Sequence, residues 1–308
     1  MPITIGGSIS FCGQRLSADQ LQLIRQLVQD FTSLSLSQLA STVCELLDWR
    51  RANGALKTRE CFSFLQELCQ RGWLDHLPPL RATAPRGARS VSLEQRSEPQ
   101  PQFSGPLAEV CPLQLQLIND KAERRLFQQY LHRYHYLGYR IPVGAQLRYF
   151  VSCRQGRILA CLLFTSAAWR MAPRDAWIGW DDQTRRAHLS LVVNQSRFLI
   201  LPWIQIPSLA SHILSLSARQ LVHDWQAHYL LRPLLLETLV DPTRFAGTCY
   251  RAANWIAVGA TQGRGRMDRQ AQAKHSRKLI FLYPLAPHAQ RCLAQPQKGT
   301  HHESTANL

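Results

Sequence analysis

Carboxylates and lysines are both scarce in this chain. Its 308 residues hold 20 Asp and Glu against 36 Lys and Arg, and only 5 of those 36 are Lys. The shortage of acid leaves a formal charge of +16. The near-absence of Lys makes the basic set one of planar, two-pronged guanidinium groups, the geometry that reads phosphate. A polyanion is the expected partner, with an arginine-rich genome as the alternative origin of the bias. No run of 18 apolar residues occurs, so the signature of a membrane-spanning helix is missing. Met1–Ser10 is neutral and contains glycine, unlike a secretory signal. The nine cysteines stand singly without CxxC spacing, and Cys44, Cys153 and Cys161 lie in apolar surroundings. That argues against a disulfide framework or a zinc site and for reduced, buried thiols in a cytoplasmic protein. No metal is expected, no cofactor is specified, and no membrane partner is expected.

What is present divides into an N-terminal helical domain, 1–80, and a larger domain, 111–285. Ser17 with Gln20 starts a helix carrying Leu21, Ile24, Val28 and Phe31 on one face. Ser35 with Gln38 starts a second, with Leu39, Val43, Leu46 and Leu47. Thr58 starts a third, with Phe62, Leu65 and Leu68, and Gly72 closes it. Three short helices suit a winged-helix or helix-turn-helix module, or a trihelical docking module. Residues 1–80 carry seven basic and seven acidic residues. Even so, Arg50, Arg51, Lys57 and Arg59 gather where a recognition helix would offer its N-terminal end to DNA. Residues 81–110 are rich in Arg, Ser, Pro, Gln and Gly and read as a flexible linker. Residues 286–308 read as a disordered tail.

The basic surface begins in the second domain: residues 120–157 carry eight basic and two acidic residues. Residues 112–137 read as helical. Gln146–Cys153 and Arg157–Thr165 alternate about Arg154-Gln155-Gly156, a hairpin signal. Trp169–Arg186 packs three Trp, four Arg and three Asp into 18 residues. Its aromatics and its Arg170 and Arg174 can clamp nucleotides, and Asp181 and Asp182 can hold a cation; the structural alternative is Trp plugging the core edge among Arg–Asp pairs. Ser196–Ile204 reads as a strand and Pro207–Tyr229 as a helix. The organising stretch is Leu234–Arg266: strand Leu234–Val240, helix Thr243–Trp255 capped by Thr243, strand Ile256–Val258, then an exit carrying Arg264 and Arg266. Gln262–Leu279 holds six basic residues and one acidic, and Leu279–Tyr283 is a last strand.

Two resemblances rest on these residues. Strand, helix from near Ser208, strand Leu234–Val240, helix with Tyr250 and strand Ile256–Val258 look like the core of the GNAT-type acyltransferase fold. The resemblance implies an α/β (α+β) chain with a GNAT-like mixed sheet and packed helices, preceded by the three-helix domain. It also implies that Tyr250 matches the tyrosine that commonly protonates the coenzyme A thiolate. The turn matching that family's pyrophosphate loop, Gln205–Ser211, has no glycine, so acetyl-CoA is expected to bind poorly. The second resemblance runs over about 17–285. The phrases LGYRIPVGAQLRYFV, AAWRMAPRDAWIGWDD, LVVNQSRFLILPWI and LLETLVDPTRFAGTCYRAANWIAVGATQGRGR resemble the bacterial family that includes the DruA component of the Druantia anti-phage system, some members of which lie beside transposases. It implies a defence or mobile-element setting, with other defence-system or transposon-encoded proteins as partners.

Three activities are weighed on these residues. The first is a nucleic-acid-interacting protein, DNA before RNA, whose contacts are Arg50, Arg51, Lys57, Arg59, Arg170, Arg174, Arg264 and Arg266. The second is a transferase with Tyr250 as general acid and Glu237 or Asp241 as base. The third is a metal-dependent nuclease using Asp175, Asp181, Asp182, Glu237 and Asp241. Glu237, among apolar strand neighbours, needs an arginine, a metal or an open cleft. Arg170, Arg174 and Arg197 are its candidate partners. Glu237, Asp241 and Tyr250 are expected to line one cleft with residues from Trp169–Asp182.

Overall fold

A computed structural model describes residues 9–30, 34–51, 55–78, 95–140, 142, 144–262 and 276–295. A short hairpin of β1 (Ser10–Phe11) and β2 (Gln14–Arg15) leads into α1 (Ala18–Asp30), α2 (Leu36–Leu46) and α3 (Thr58–Gln70). Both expected capping boxes form. Gln20 N donates to Ser17 Oγ at 3.2 Å and Ser17 N to Gln20 Oε1 at 3.0 Å. Ser35 and Gln38 make the same exchange. Thr58 is not a cap: that position falls on Lys57, which makes no capping bond. The Thr58 hydroxyl lies instead 3.3 Å from that of Ser41 on α2. Phe31 lies outside the described residues.

The second part begins earlier than its composition suggests. A 3-10 turn at Gln95–Ser97, β3 (Phe103–Ser104) and α4 (Leu107–Val110) are ordered within the stretch expected to be linker. Then come β4 (Gln114–Leu117) and α5 (Lys121–Tyr134). The reason is long-range: the Tyr130 and Tyr134 hydroxyls on α5 donate to the Arg96 and Ser97 carbonyls, and Arg133 pairs with Glu98 at 2.7 Å. These bonds satisfy backbone that has no apolar period of its own. Residues 79–94 lie outside the described residues. The expected helix over 112–137 is also corrected: QLQL alternates and forms β4, and α5 starts only where Asp120 accepts from Ala122 N and Glu123 N.

β5 (Gln146–Ser152) and β6 (Ile158–Ser166) form the expected hairpin, turning at Gly156. Next are α6 (Ala172–Ile178), α7 (Asp182–His188), β7 (Val192–Ile200), β8 (Ile204–Gln205), α8 (Leu209–Tyr229) and β9 (Leu235–Val240). The chain ends with α9 (Thr248–Ala252), β10 (Ile256–Ala260), β11 (Leu279–Pro284) and α10 (Ala289–Ala294). The strand read at Ser196–Ile204 therefore starts earlier, at Val192. Helix α9 is shorter than its expected span. Asp241 Oδ1 accepts from Thr243 N and Oγ1, folding Thr243 into a turn rather than a cap. Gly247 then sits at φ +72°, where a Cβ would come within 2.7 Å of the Phe281 ring. Helix α10 lies in the expected tail because Leu293 is fully buried and its carbonyl meets His188 Nδ1 at 2.9 Å.

Seven strands make one mixed sheet in the order β10-β11-β9-β7-β6-β5-β4. All neighbours are antiparallel except β7 and β9. Strands β9 and β10, consecutive in the chain, do not touch: β11 lies between them. The chain is mixed α/β, with one mixed sheet and packed helices after the three N-terminal helices, as the resemblance implies. One of its faces is covered by α8 and α9, and at one end of the other face α6, α7 and α10 bury Ile280, Leu282 and Leu235. The larger apolar core is continuous from the three N-terminal helices into α8 and the sheet.

Candidate functional site: the opening between β7 and β9

The parallel pair sets the geometry. Its register runs Val192↔Leu235, Val193↔Leu236, Asn194↔Glu237 and Gln195↔Thr238. There it stops, while both strands continue, β7 to Ile200 and β9 to Val240. Beyond this point the strands part. A cleft of about 730 Å³ opens over the gap. Asn194, Ser196 and Arg197 come to it from β7, Leu239 from β9, and Ala167–Pro173 form one wall. Arg140, Thr261 and Glu45 of α2 also line it.

The wall is held by a buried ion network. Arg174 on α6 has 0% exposure, as does Glu237 on β9. Arg174 Nη1 reaches Glu237 Oε2 at 2.9 Å and the Ala168 carbonyl at 2.8 Å, while Nε and Nη2 both donate to Asp175 Oδ1. Ala168 N donates to Glu237 Oε1 at 3.2 Å, and Met171 N to Asp175 Oδ2 at 3.1 Å. Burial works against the Arg174 charge, but the Glu237 and Asp175 carboxylates outweigh it and hold its guanidinium above its ordinary pKa. The network ties residues 168–175 to the sheet and so shapes the cleft from below.

Several expected site residues are therefore reassigned. Arg174 is enclosed, and its donors are used inside the fold. Glu237 lies beneath the cleft as its partner, so one of the three candidate arginines is the true one. Tyr250 is on the other face of β9. Its ring stacks on Phe281, and its hydroxyl donates to Gln195 Oε1 at 3.0 Å. Burial raises its pKa. Tyr250 and Glu237 thus share no cleft, since alternate strand residues face opposite ways. Asp241 is a turn former, and bonds from Thr243 and then Ser276 hold its carboxyl below the usual range. Asp181 caps α7 through Thr184 N, which lowers its pKa. Asp182 pairs with Arg185 and Arg170, each at 2.8 Å or less. Among the described residues no three His, Cys, Asp or Glu side chains converge to hold a metal.

The basic residues differ in availability. Arg50 pairs with Asp48 at 2.8 Å and lies 4.0 Å over the Trp169 ring, on which Arg185 also stacks at 5.2 Å. This contact joins the three-helix part to the wall of the cleft. Gly144, at φ +95°, allows the same junction, for a Cβ there would meet Ser166 Oγ at 2.7 Å and run into Glu45. Arg51 is bidentate to Glu60 at 2.7 and 3.0 Å. Lys57 is half-buried over Phe11, and Arg59 is exposed. Arg170 is exposed beside Asp182. Arg264 and Arg266 lie outside the described residues.

Sequence reasoning missed an aromatic stack beside the cleft. Phe245 is 54% exposed and lies 5.7 Å from Tyr136, whose other neighbour, His135, stacks on it at 4.9 Å. Arg244 covers Tyr136 at 5.1 Å. Burial, then the Arg197 and Lys278 charges, push His135 down to about 4. The signal in the sequence was present: Tyr136 and Phe245 each sit close to arginines, the pattern that was weighed only at 169–186.

Comparison with known proteins now bears on this arrangement. The signature of the family described as "Druantia protein DruA" matches residues 80–290. The chain belongs to the DruA family. Membership sets this DruA-family chain in a Druantia defence context. Among curated protein sequences no match is found. Solved structures similar to the chain include the spermidine N-acetyltransferase from Vibrio cholerae in complex with CoA and spermine, at 9% identity and TM-score 0.38, covering 56% of this chain and 95% of that one. A SpeG chimera from Vibrio cholerae and hSSAT has 9% identity and TM-score 0.38, covering 60% and 99%. A nourseothricin acetyltransferase has 8% identity and TM-score 0.29, covering 46% and 66%. The glycine-free turn before α8 is tied to the family region's own start: β3 pairs in parallel with β8, and Gln102 Nε2 donates to Gln205 Oε1 at 2.7 Å. Among the described residues no helix is long and apolar enough to cross a membrane.

Proposed function

We propose that this DruA-family protein acts in Druantia defence by binding nucleic acid, and that a single strand crosses the open end of the sheet. The observation that carries the reading is the exposed Phe245 ring tilted against the half-buried Tyr136–His135 stack, flanked by Arg244 and, in the adjoining cleft, Arg197 and Arg140. Aromatic faces accept any base by stacking, and arginines beside them follow the phosphates. The net charge of +16 adds a long-range attraction for a polyanion. The three-helix part favours DNA over RNA, with Arg59 as its exposed basic contact.

Fluorescence anisotropy with a labelled oligo(dT) tests it. Binding is expected to weaken steeply between roughly 50 and 200 mM salt, because each neutralised phosphate releases counterions. Phe245→Ala should weaken it by about tenfold, the effect of losing roughly one stacked base. Absent binding at low salt, or a salt-independent affinity, would overturn the reading.

A further inference from the structure

Arg197 is in an unusual position for a cation. It is half-buried on β7 at the floor of the cleft, and among the described residues its bonds go to carbonyls: Nε to Gly138 O at 3.2 Å and Nη1 to Ser196 O at 2.6 Å. Among the described residues no carboxylate lies within ion-pair distance, and its Nη2 has no partner. Burial lowers its pKa, and the Arg140 charge lowers it further. Glu45, the carboxylate that lines the cleft, already has a partner. An arginine held out of water without a counter-charge costs stability unless an anion shares the site.

Two further features narrow the class of anion. Asn194, two residues before Ser196 on β7, also lines the cleft and brings a polar amide side chain to it. The walls include Leu163, Leu239, Met171 and Pro173, so part of the occupant is apolar or flat. The volume of about 730 Å³ falls within the usual span of small-molecule sites.

We propose that this cleft binds a single nucleotide unit, its phosphate held by Arg197 and Arg140 beside the Asn194 amide. The phosphate comes either from a free mononucleotide or from the 5′ end of a strand. Only the second source rests on the nucleic-acid reading.

Calorimetry on the full chain, with dTMP, thymidine, 5′-phosphorylated oligo(dT), 5′-hydroxyl oligo(dT) and coenzyme A, decides the matter. A phosphate-dependent gain of about tenfold or more is expected for dTMP over thymidine, or for the phosphorylated oligonucleotide over the hydroxyl one. A gain with dTMP assigns the free nucleotide, and a gain with the oligonucleotide alone assigns the strand end. Arg197→Gln should erase it. Arg140→Gln, at the exposed rim, should reduce it and serves if the first variant does not fold. Equal binding with and without phosphate in both pairs would overturn the proposal, as would coenzyme A binding with both phosphorylated thymidine ligands silent. Binding of 5′-hydroxyl oligo(dT) reports on the strand reading and the phosphate-dependent gain on the cleft, so the two readings fail separately.

Discussion

Arg174 and Arg197 stand beside the same cleft and lead opposite lives. Arg174 is closed off from water, and Glu237, Asp175 and the Ala168 carbonyl engage its donors. Arg197 is less deeply set, yet it meets only carbonyls. The first is a structural rivet, the second an available charge. A formal charge of +16 does not distinguish them. What distinguishes them is where the few acids went. Asp48, Glu60, Glu98, Asp175, Asp182 and Glu237 are all spent on arginines inside or beside the fold, and among the described residues none of the carboxylates pairs with Arg197.

The contrast can be broken in three ways. Glu237→Gln takes from Arg174 one of its two carboxylates and is expected to destabilise the fold by up to roughly 3–5 kcal/mol. Urea denaturation measures this, and an unshifted midpoint would mean Arg174 is no rivet. A smaller effect belongs to the open end. His135 titrates at about 4 in the folded chain against an ordinary value of 6.5. The unfolded state therefore binds the proton first. Its contribution is complete above about 6.5 and is lost as pH falls toward about 4. His135→Gln should flatten the stability–pH curve in that window, and an unchanged slope would count against the burial of His135 beside the Arg197 and Lys278 charges. The smallest effect on stability comes from Arg197 itself. Arg197→Met abandons no carboxylate, so stability should stay within about 1 kcal/mol of the parent or rise slightly, as thermal melts will show.

Local signals in the sequence were legible. The capping boxes of α1 and α2, the Gly156 hairpin and the buried run of β9 are decided by residues a few positions apart, and each formed as read. The failures are non-local. Strand β4 hides in a stretch read as one helix, and only pairing with β5 reveals it. The order of residues 95–110 depends on tyrosines of α5. At the site, the need of Glu237 for an arginine was legible from burial alone, but the choice of Arg174 spans 63 positions. Tyr250 matched a family pattern, and yet α9 packs on the face of the sheet away from Glu237. The Tyr136–Phe245 contact joins a helix exit to a turn, and neither neighbourhood announces the other.

The divergence of β7 and β9 also has a mechanical side. Four strands, β4 to β7, form one plate, and β9 to β11 form another, each bonded along its own length. Only four residue pairs join the plates. Facing stretches of Ser196–Ile200 and Leu239–Val240 are thus two free selvedges inside a single fabric. A load applied across the sheet concentrates on the Gln195–Thr238 pair, the last stitch, and any body wedged into the gap pulls on both plates at once.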